Sequence, residues 1–170
     1  MEHDGPAGQP EASRPSMPGY GILPAEAGGG LLPWAWAVER LERSHSYWVA
    51  TCGSDGSPHL AAVWGIWLDG AFWFSTGARS RKARNLAAEP RCVVAPQDAA
   101  ESVVLEGTAE RVGDPERIAR AQAAYSGKYG SGFPDAGQDP LFAVSPRRVV
   151  GLTEHDPGLS ASATRWSFAP

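Results

Sequence analysis

Long apolar runs, a cationic excess and a cysteine framework are all missing from this 170-residue chain. No apolar stretch approaches the roughly 18 residues that a membrane-spanning helix needs, and the opening "MEHDGPAGQP" has neither a cationic nor an apolar leader segment. A cytoplasmic protein with no membrane partner is the expectation. Lysine and arginine number 15 against 19 acidic residues, a net charge of −4, so the broad cationic face that nucleic acid requires is absent and no nucleic-acid partner is expected. Cys52 and Cys92 are the only cysteines, each inside an apolar run ("YWVATCG", "PRCVVA"). They read as small buried hydrophobes rather than as a disulfide framework or metal ligands. No paired carboxylates, Ser-His-Asp or Cys-His spacing marks a general acid or nucleophile, so no catalytic residue is assigned and no metal is expected.

What is present fits one domain. Hydrophobic residues make up 42% and charged residues 20% of the chain, which leaves room for a core. Residues 1–33 hold seven glycines and six prolines with almost no apolar period, and are expected to form a disordered tail. From Pro33 the pattern changes. "PWAWAVERLERS" places Trp34, Ala37, Val38 and Leu41 at helical spacing behind a proline. Strands follow at Tyr47 to Cys52, His59 to Leu68 and Ala71 to Thr76, joined by the turn clusters "GSDGSP" and "LDG". A helix over "SRKARNLAAE" precedes strands at Cys92 to Pro96 and Ser102 to Val112. "DPERIARAQAAYSGKYG" is then a helix capped by Asp114. Strands near Leu141 to Val144, Arg147 to Thr153 and Thr164 to Phe168 complete the pattern. Seven or eight strands with three helices, mostly linked by tight turns, indicate a mainly β, α+β architecture: a small antiparallel barrel over 34–170 with helices at its edges.

The stretch "FSTGARSRKARNL" concentrates chemistry. A strand ends in the hydroxyls of Ser75 and Thr76, a glycine permits close backbone approach, and Ser80 can cap a helix whose first turn carries Arg81 and Lys82, with Arg84 and Asn85 following. Cations are disfavoured at a helix N-terminus unless an anion is there to meet them, and hydroxyls, free N–H groups and cations together bind phosphate. On the preceding strands Ala61, Ala62 and Gly65 lie among Trp64, Trp67, Phe72, Trp73 and Phe74. The rings are mostly core; the small residues leave backbone against which a flat ring can lie. A planar ring beside a phosphate cradle describes a flavin-like cofactor. His59 is the one histidine near this point, read mainly as structural.

The order from "WVATCGSDGSPHLAAVWGIWLDGAFWFSTGARSRKARNLAAEPRCVV" through "VVLEGTAERV" to "ATRWSF" resembles the pyridoxamine 5′-phosphate oxidase-like split β-barrel proteins of the FMN-binding split-barrel type, and within them the flavin/deazaflavin oxidoreductase branch. The resemblance implies a split antiparallel β-barrel with two or three flanking helices, a homodimer, and a cofactor groove between protomers. Ser75 and Thr76 would then contact the ribityl or phosphate part of the cofactor, Arg81 and Lys82 its phosphate, and the backbone of Ala61, Ala62, Val63 and Trp64 its ring. Trp166, with Arg165, would approach the ring from the partner chain. Coenzyme F420, with a phosphodiester and an acidic tail, is the implied cofactor, Arg79 and Arg84 extending the basic groove; FMN is the alternative and some relatives bind haem. The implied activity is hydride transfer from the reduced deazaflavin to a C=C or C=N bond of a conjugated small molecule, a role as an FMN-dependent oxidoreductase or a non-catalytic cofactor- or haem-binding module standing beside it. The chain ends "TRWSFAP" where true pyridoxamine phosphate oxidases carry an Arg- and His-containing segment, so vitamin B6 oxidation is not implied. The loop "YGSGFPDAGQDP" is expected to shape the substrate pocket.

Overall fold

The computed structural model describes residues 9–133 and 137–169. In chain order it contains β1 (Glu11–Ser13), α1 (Trp34–Arg43), β2 (Tyr47–Cys52), β3 (Pro58–Val63), β4 (Ile66–Leu68), β5 (Ala71–Ser75) and α2 (Arg81–Ala88). Then come β6 (Arg91–Pro96), β7 (Glu101–Arg111), α3 (Pro115–Tyr129), β8 (Leu141–Thr153), α4 (Leu159–Ser162) and β9 (Thr164–Ser167). The expected elements are all there. The additions are β1, the single-turn α4, and a break that divides the long second strand into β3 and β4.

All strand pairs are antiparallel, in the order β1-β9-β8-β7-β6-β2-β3, with β5 also bonded to β8 and β4 to β5. β8 causes the split. One of its edges pairs with β7 from Phe142 to Thr153, while the other holds β5 over Leu141–Val144 and β9 over Arg148–Gly151. The sheet bifurcates there and does not close. The two strands read separately on either side of Pro146 are one continuous strand. Pro146 lies opposite Gly107, where the register shifts, and a Cβ on Gly107 would come within 2.4 Å of the Ser145 carbonyl oxygen. A proline without an N–H is tolerated in a strand at such an irregularity.

The break between β3 and β4 has a similar steric origin. A Cβ at Gly65 would lie 2.3 Å from the Phe72 ring and 2.6 Å from the Trp73 carbonyl oxygen, so only glycine lets this backbone press onto β5. The next turn, Asp69-Gly70, has φ of 51° and 73°. Both central residues are left-handed, as a type I′ hairpin requires. β5 is buried on both faces. Phe72 and Phe74 join Leu41, Tyr47, Val49, Leu105, Val144 and Trp166 in the main core, whereas Trp73 faces Tyr125, Phe133 and Leu141 beneath α3.

The expectation of a disordered tail over 1–33 needs correction where the structure describes it; residues 1–8 lie outside the described part. β1 adds to the edge of β9, pairing Ala12 with Trp166. Arg14 then donates to the carbonyls of Ala163 at 2.8 Å, Ala27 at 3.2 Å and Gly30 at 3.2 Å. Leu32 N–H reaches Thr164 Oγ1 at 2.9 Å. A Gly/Pro-rich chain cannot bury an apolar face of its own, but one guanidinium can gather its carbonyls onto a neighbouring edge. Hydrogen bonds to charged donors contribute about 1.5–3 kcal/mol. Arg14→Ala should therefore lower unfolding free energy by about that amount in urea titration; a change below about 0.5 kcal/mol, the range of an ordinary surface substitution, would show that the strap is held by something else.

Candidate functional site

The basic turn before α2 forms as its residue types dictate. β5 ends at Ser75, the chain turns through Gly77, and Ser80 caps α2 by accepting from Ala83 N–H at 3.1 Å, its Oγ lying 3.2 Å from Thr76 Oγ1. The turn is held from the far side as well: Asp139 Oδ1 accepts from Ala78 N–H at 3.0 Å, and the Pro140 carbonyl from Thr76 N–H at 3.3 Å. The loop after α3 is thereby fixed to the turn before α2.

A cleft of about 220 Å³ opens beside this turn. Its polar end is Ser75, Thr76 and Lys82, and its apolar wall is Ala62, Val63 and Trp64. Six of the residues singled out in the sequence thus meet at one cavity. Burial holds the Lys82 ammonium below its ordinary lysine value, so an anion that restores its lost solvation would be favoured there.

Arg81, Arg84 and Asn85 go elsewhere. They line a second concavity of about 370 Å³ on the other flank of α2, against Gly53, Ser54, Asp55 and Ser57 of the β2–β3 turn. Arg81 donates to Ser57 Oγ at 2.9 Å, and Ser57 donates through both N–H and Oγ to Asp55 Oδ1. Those two bonds keep the Asp55 carboxyl below the usual carboxylate range. Arg84 reaches back to the Arg79 carbonyl at 2.6 Å. Asn85 is buried and donates to Thr51 Oγ1 at 3.0 Å, which pins α2 to β2. Ala61 alternates to the opposite side of β3 from Ala62 and is not part of the cleft lining.

Trp166 is a correction. It is 1% exposed within its own chain, edge-on to Trp34 at 5.5 Å, and a Cβ on Gly151 would come within 2.7 Å of its ring. A ring so enclosed cannot reach across to a cofactor held by a partner.

Sequence reasoning missed one part of the roof. Tyr125 of α3, in a helix whose apolar stripe reads simply as core, completes the cleft lining with Phe133, a residue of the loop expected to shape the pocket, whose residues 134–136 lie outside the described part. The roof is tied down at Gly65. Lys128 Nζ donates to the Gly65 carbonyl at 3.1 Å and to Tyr47 Oη at 2.7 Å, and Gly65 N–H donates to Tyr129 Oη at 3.1 Å. The Tyr129 ring stacks on Trp64 at 5.3 Å and 7°. The absence of a side chain at position 65, read as room for a ligand, lets α3 grip the backbone beside Trp64.

A pyridoxamine 5′-phosphate oxidase family model matches residues 35–153, spanning α1 through β8 and including the whole cleft. The chain belongs to that family. Among solved structures, a conserved hypothetical protein from Mycobacterium tuberculosis is 28% identical, with 76% of this chain and 85% of that one covered at a TM-score of 0.59. A heme binding protein from Mycobacterium smegmatis is 25% identical over 69% of this chain and 53% of its own, at a TM-score of 0.59. An F420 reductase shares 22% identity over 65% of this chain and 93% of its own, at a TM-score of 0.53, a likeness of fold. No curated protein matches the sequence. Among the described residues, no three or more His, Cys, Asp or Glu gather as a metal site, and no helix is long and apolar enough to cross a membrane.

In this member of the pyridoxamine phosphate oxidase family the Lys128 clamp carries a pH signature. Burial lowers the Lys128 ammonium to about 8, well under the value of an unfolded lysine. Above pH 8 the unfolded chain therefore binds more protons at this site than the folded one, and stability from this group rises toward the unfolded lysine value and is lost as pH falls through 8. Tyr47 and Cys92, both raised by burial, act in the opposite sense. The difference between wild type and Lys128→Met isolates the lysine: unfolding free energies should show wild type gaining on the variant between pH 8 and 10, and parallel curves would refute the clamp's titration.

Proposed function

We propose that this family member is an F420-dependent oxidoreductase, transferring a hydride from the reduced deazaflavin to a C=C or C=N bond of a conjugated small molecule. The observation that carries the reading is the division of the basic turn. Lys82, Ser75 and Thr76 form one anion position in the cleft, and Arg81 with Arg84 forms a second on the opposite flank of α2. A cofactor with one terminal phosphate uses one of these; a phosphodiester followed by an acidic tail uses both. The donor set fits such a group: hydroxyls and a desolvated ammonium at the polar end, and an apolar wall where a planar ring lies. Bound F420H2 would supply the hydride. The chain's own part is to hold the anionic portion, keep the ring against Ala62, Val63 and Trp64, and exclude water with Tyr125 and Phe133.

The reading includes a homodimer. A cleft of about 220 Å³ is smaller than the ~300–1,000 Å³ of ordinary small-molecule sites, so a flavin-sized ligand needs a further wall. The open side is apolar: Leu60 is 59% exposed on the edge strand β3, with Trp48 on β2 and Trp64 beside the cleft also about half exposed. A second copy laid on this face would supply the wall, and contiguous exposed apolar surface of this kind marks an interface.

Titration with F420, followed by ligand fluorescence, tests the cofactor. Micromolar or tighter binding is expected, weakened about 10- to 100-fold by Lys82→Ala, the equivalent of one charge-assisted hydrogen bond. Preference for FMN with Arg84→Ala indifferent would instead assign a single-phosphate flavin. Sedimentation of Leu60→Glu should show monomers that have lost cofactor affinity; an unchanged dimer would place the interface elsewhere.

A further inference from the structure

The tyrosine hydroxyls around the roof of the cleft fare differently. Tyr47 Oη donates to the Leu41 carbonyl at 2.6 Å and accepts from Lys128 Nζ at 2.7 Å. Tyr129 Oη lies 2.8 Å from both the His45 and the Gly65 carbonyl oxygens and accepts from Gly65 N–H at 3.1 Å. Tyr125 Oη has no hydrogen-bond partner among the described residues, although the residue is only 2% exposed. A buried tyrosine O–H usually finds a partner. The described side-chain atoms that are both unpaired and wholly occluded are Arg14 Nε, Arg40 Nε, His59 Nδ1 and Trp166 Nε1. Tyr125 Oη is unpaired without being occluded, so the small surface this residue keeps includes its hydroxyl, and the open space that Tyr125 lines is the cleft. The ring is held in place by its neighbours, Phe133 at 4.0 Å and Tyr129 at 4.5 Å between centroids. An acidic proton is thus fixed at a site for which no sequence motif supplies a general acid.

We propose that Tyr125 is the proton donor of the cleft, its hydroxyl bonding the carbonyl oxygen of a conjugated carbonyl substrate such as an α,β-unsaturated ketone. The inference rests on the reductase reading given above, to which it adds a substrate class and an acid. Ser75, Thr76 and Lys82 gather at the polar end with the anion, and among the remaining lining residues Tyr125 carries the one hydroxyl. When a hydride adds to the carbon β to the carbonyl, it brings the electron pair of the new C–H bond, and the C=C pair moves onto the oxygen as an enolate. A fixed donor at that oxygen stabilises the developing charge more than it stabilises the neutral carbonyl. The Oη–H bond then breaks and its proton passes to the enolate oxygen. The enol returns to the ketone, and the tyrosinate regains a proton from water. In sum the C=C bond is reduced by one hydride and one proton, and the deazaflavin is oxidised. Burial, and then Tyr129, hold the Tyr125 phenol above its ordinary value, so the donor is protonated when substrate arrives.

Cyclohexenone, isotope-labelled at its carbonyl carbon, is the probe. It would be bound to the full-length protein with and without saturating oxidised F420, so that nothing turns over, while infrared difference spectroscopy reads the carbonyl stretch. The stretch is expected at lower frequency in wild type than in Tyr125→Phe, which should bind the enone roughly two- to tenfold more weakly, the equivalent of one neutral hydrogen bond. Because Oη bonds nothing in the free protein, the variant should melt at the wild-type temperature and bind F420 as tightly. Its kcat for enone reduction with F420H2 should fall about 100- to 1,000-fold, as for removal of one oxyanion donor. The same stretch in both proteins, or an unchanged kcat, would overturn the role of Tyr125 and leave the cofactor reading standing. Failure of F420 to bind, with the stretch still separating the two cofactor-free proteins, would uphold Tyr125 as a carbonyl ligand and overturn the reductase reading. An enone that does not bind at all would overturn the carbonyl substrate class and this role with it.

Discussion

Strand β8 bears three partners, and the rest of the molecule is arranged around that fact. Its β7 edge is bonded throughout, while its other edge is shared between β5 and β9. The sheet forks at this edge, with the β4–β5 arm bonded to Leu141–Val144 and β9 to Arg148–Gly151. The cleft lies at this fork. Its polar end is the end of β5, its wall is the end of β3, and its roof is the helix that leads into β8. The fork is made possible by Gly107 opposite Pro146, a pairing in which one residue has no side chain and the other no N–H.

The second dependence runs through Gly65. With no Cβ the backbone sinks against Phe72 and Trp73, and its own N–H and C=O, unavailable to a strand partner, are taken by Tyr129 and Lys128. That exchange fixes three things at once: the end of β3, the depth of the roof, and the plane of Trp64 against Tyr129. Positioning of the cleft thus comes from backbone bonds made by a helix, which are stiffer than contacts between side chains alone.

Much of this was legible in the residues. The strands from Tyr47 onward announced themselves by β-branched and aromatic runs between turn residues, and the Asp114 and Ser80 caps by their side chains. The basic turn was legible because its chemistry is local: hydroxyls, glycine, cap and cations follow one another within a few residues. Tyr125 was not, since it is far from the turn in sequence and looks like any helix stripe, whereas Phe133 falls in the loop expected to shape the pocket. Direction was the other blind spot. Consecutive residues Arg81 and Lys82 line different cavities beside one helix, and Trp166 faces inward because β8 on one side, β1 on the other and Trp34 of α1 enclose it, contacts that its local sequence does not show. The same holds for residues 9–33, whose composition says only that they cannot fold alone.

The N-terminal strap has a bearing on how the protein behaves in a crowded solution. Without β1, the outer side of β9 would present a row of unpaired N–H and C=O groups, the template on which strands of other chains add and fibres begin. By laying its own first strand there and knotting the following glycine- and proline-rich turn to Arg14, the chain occupies that edge with a segment too short and too irregular to extend the sheet further. One border of the sheet is thereby sealed, while β3 at the opposite end of the strand order keeps an open edge.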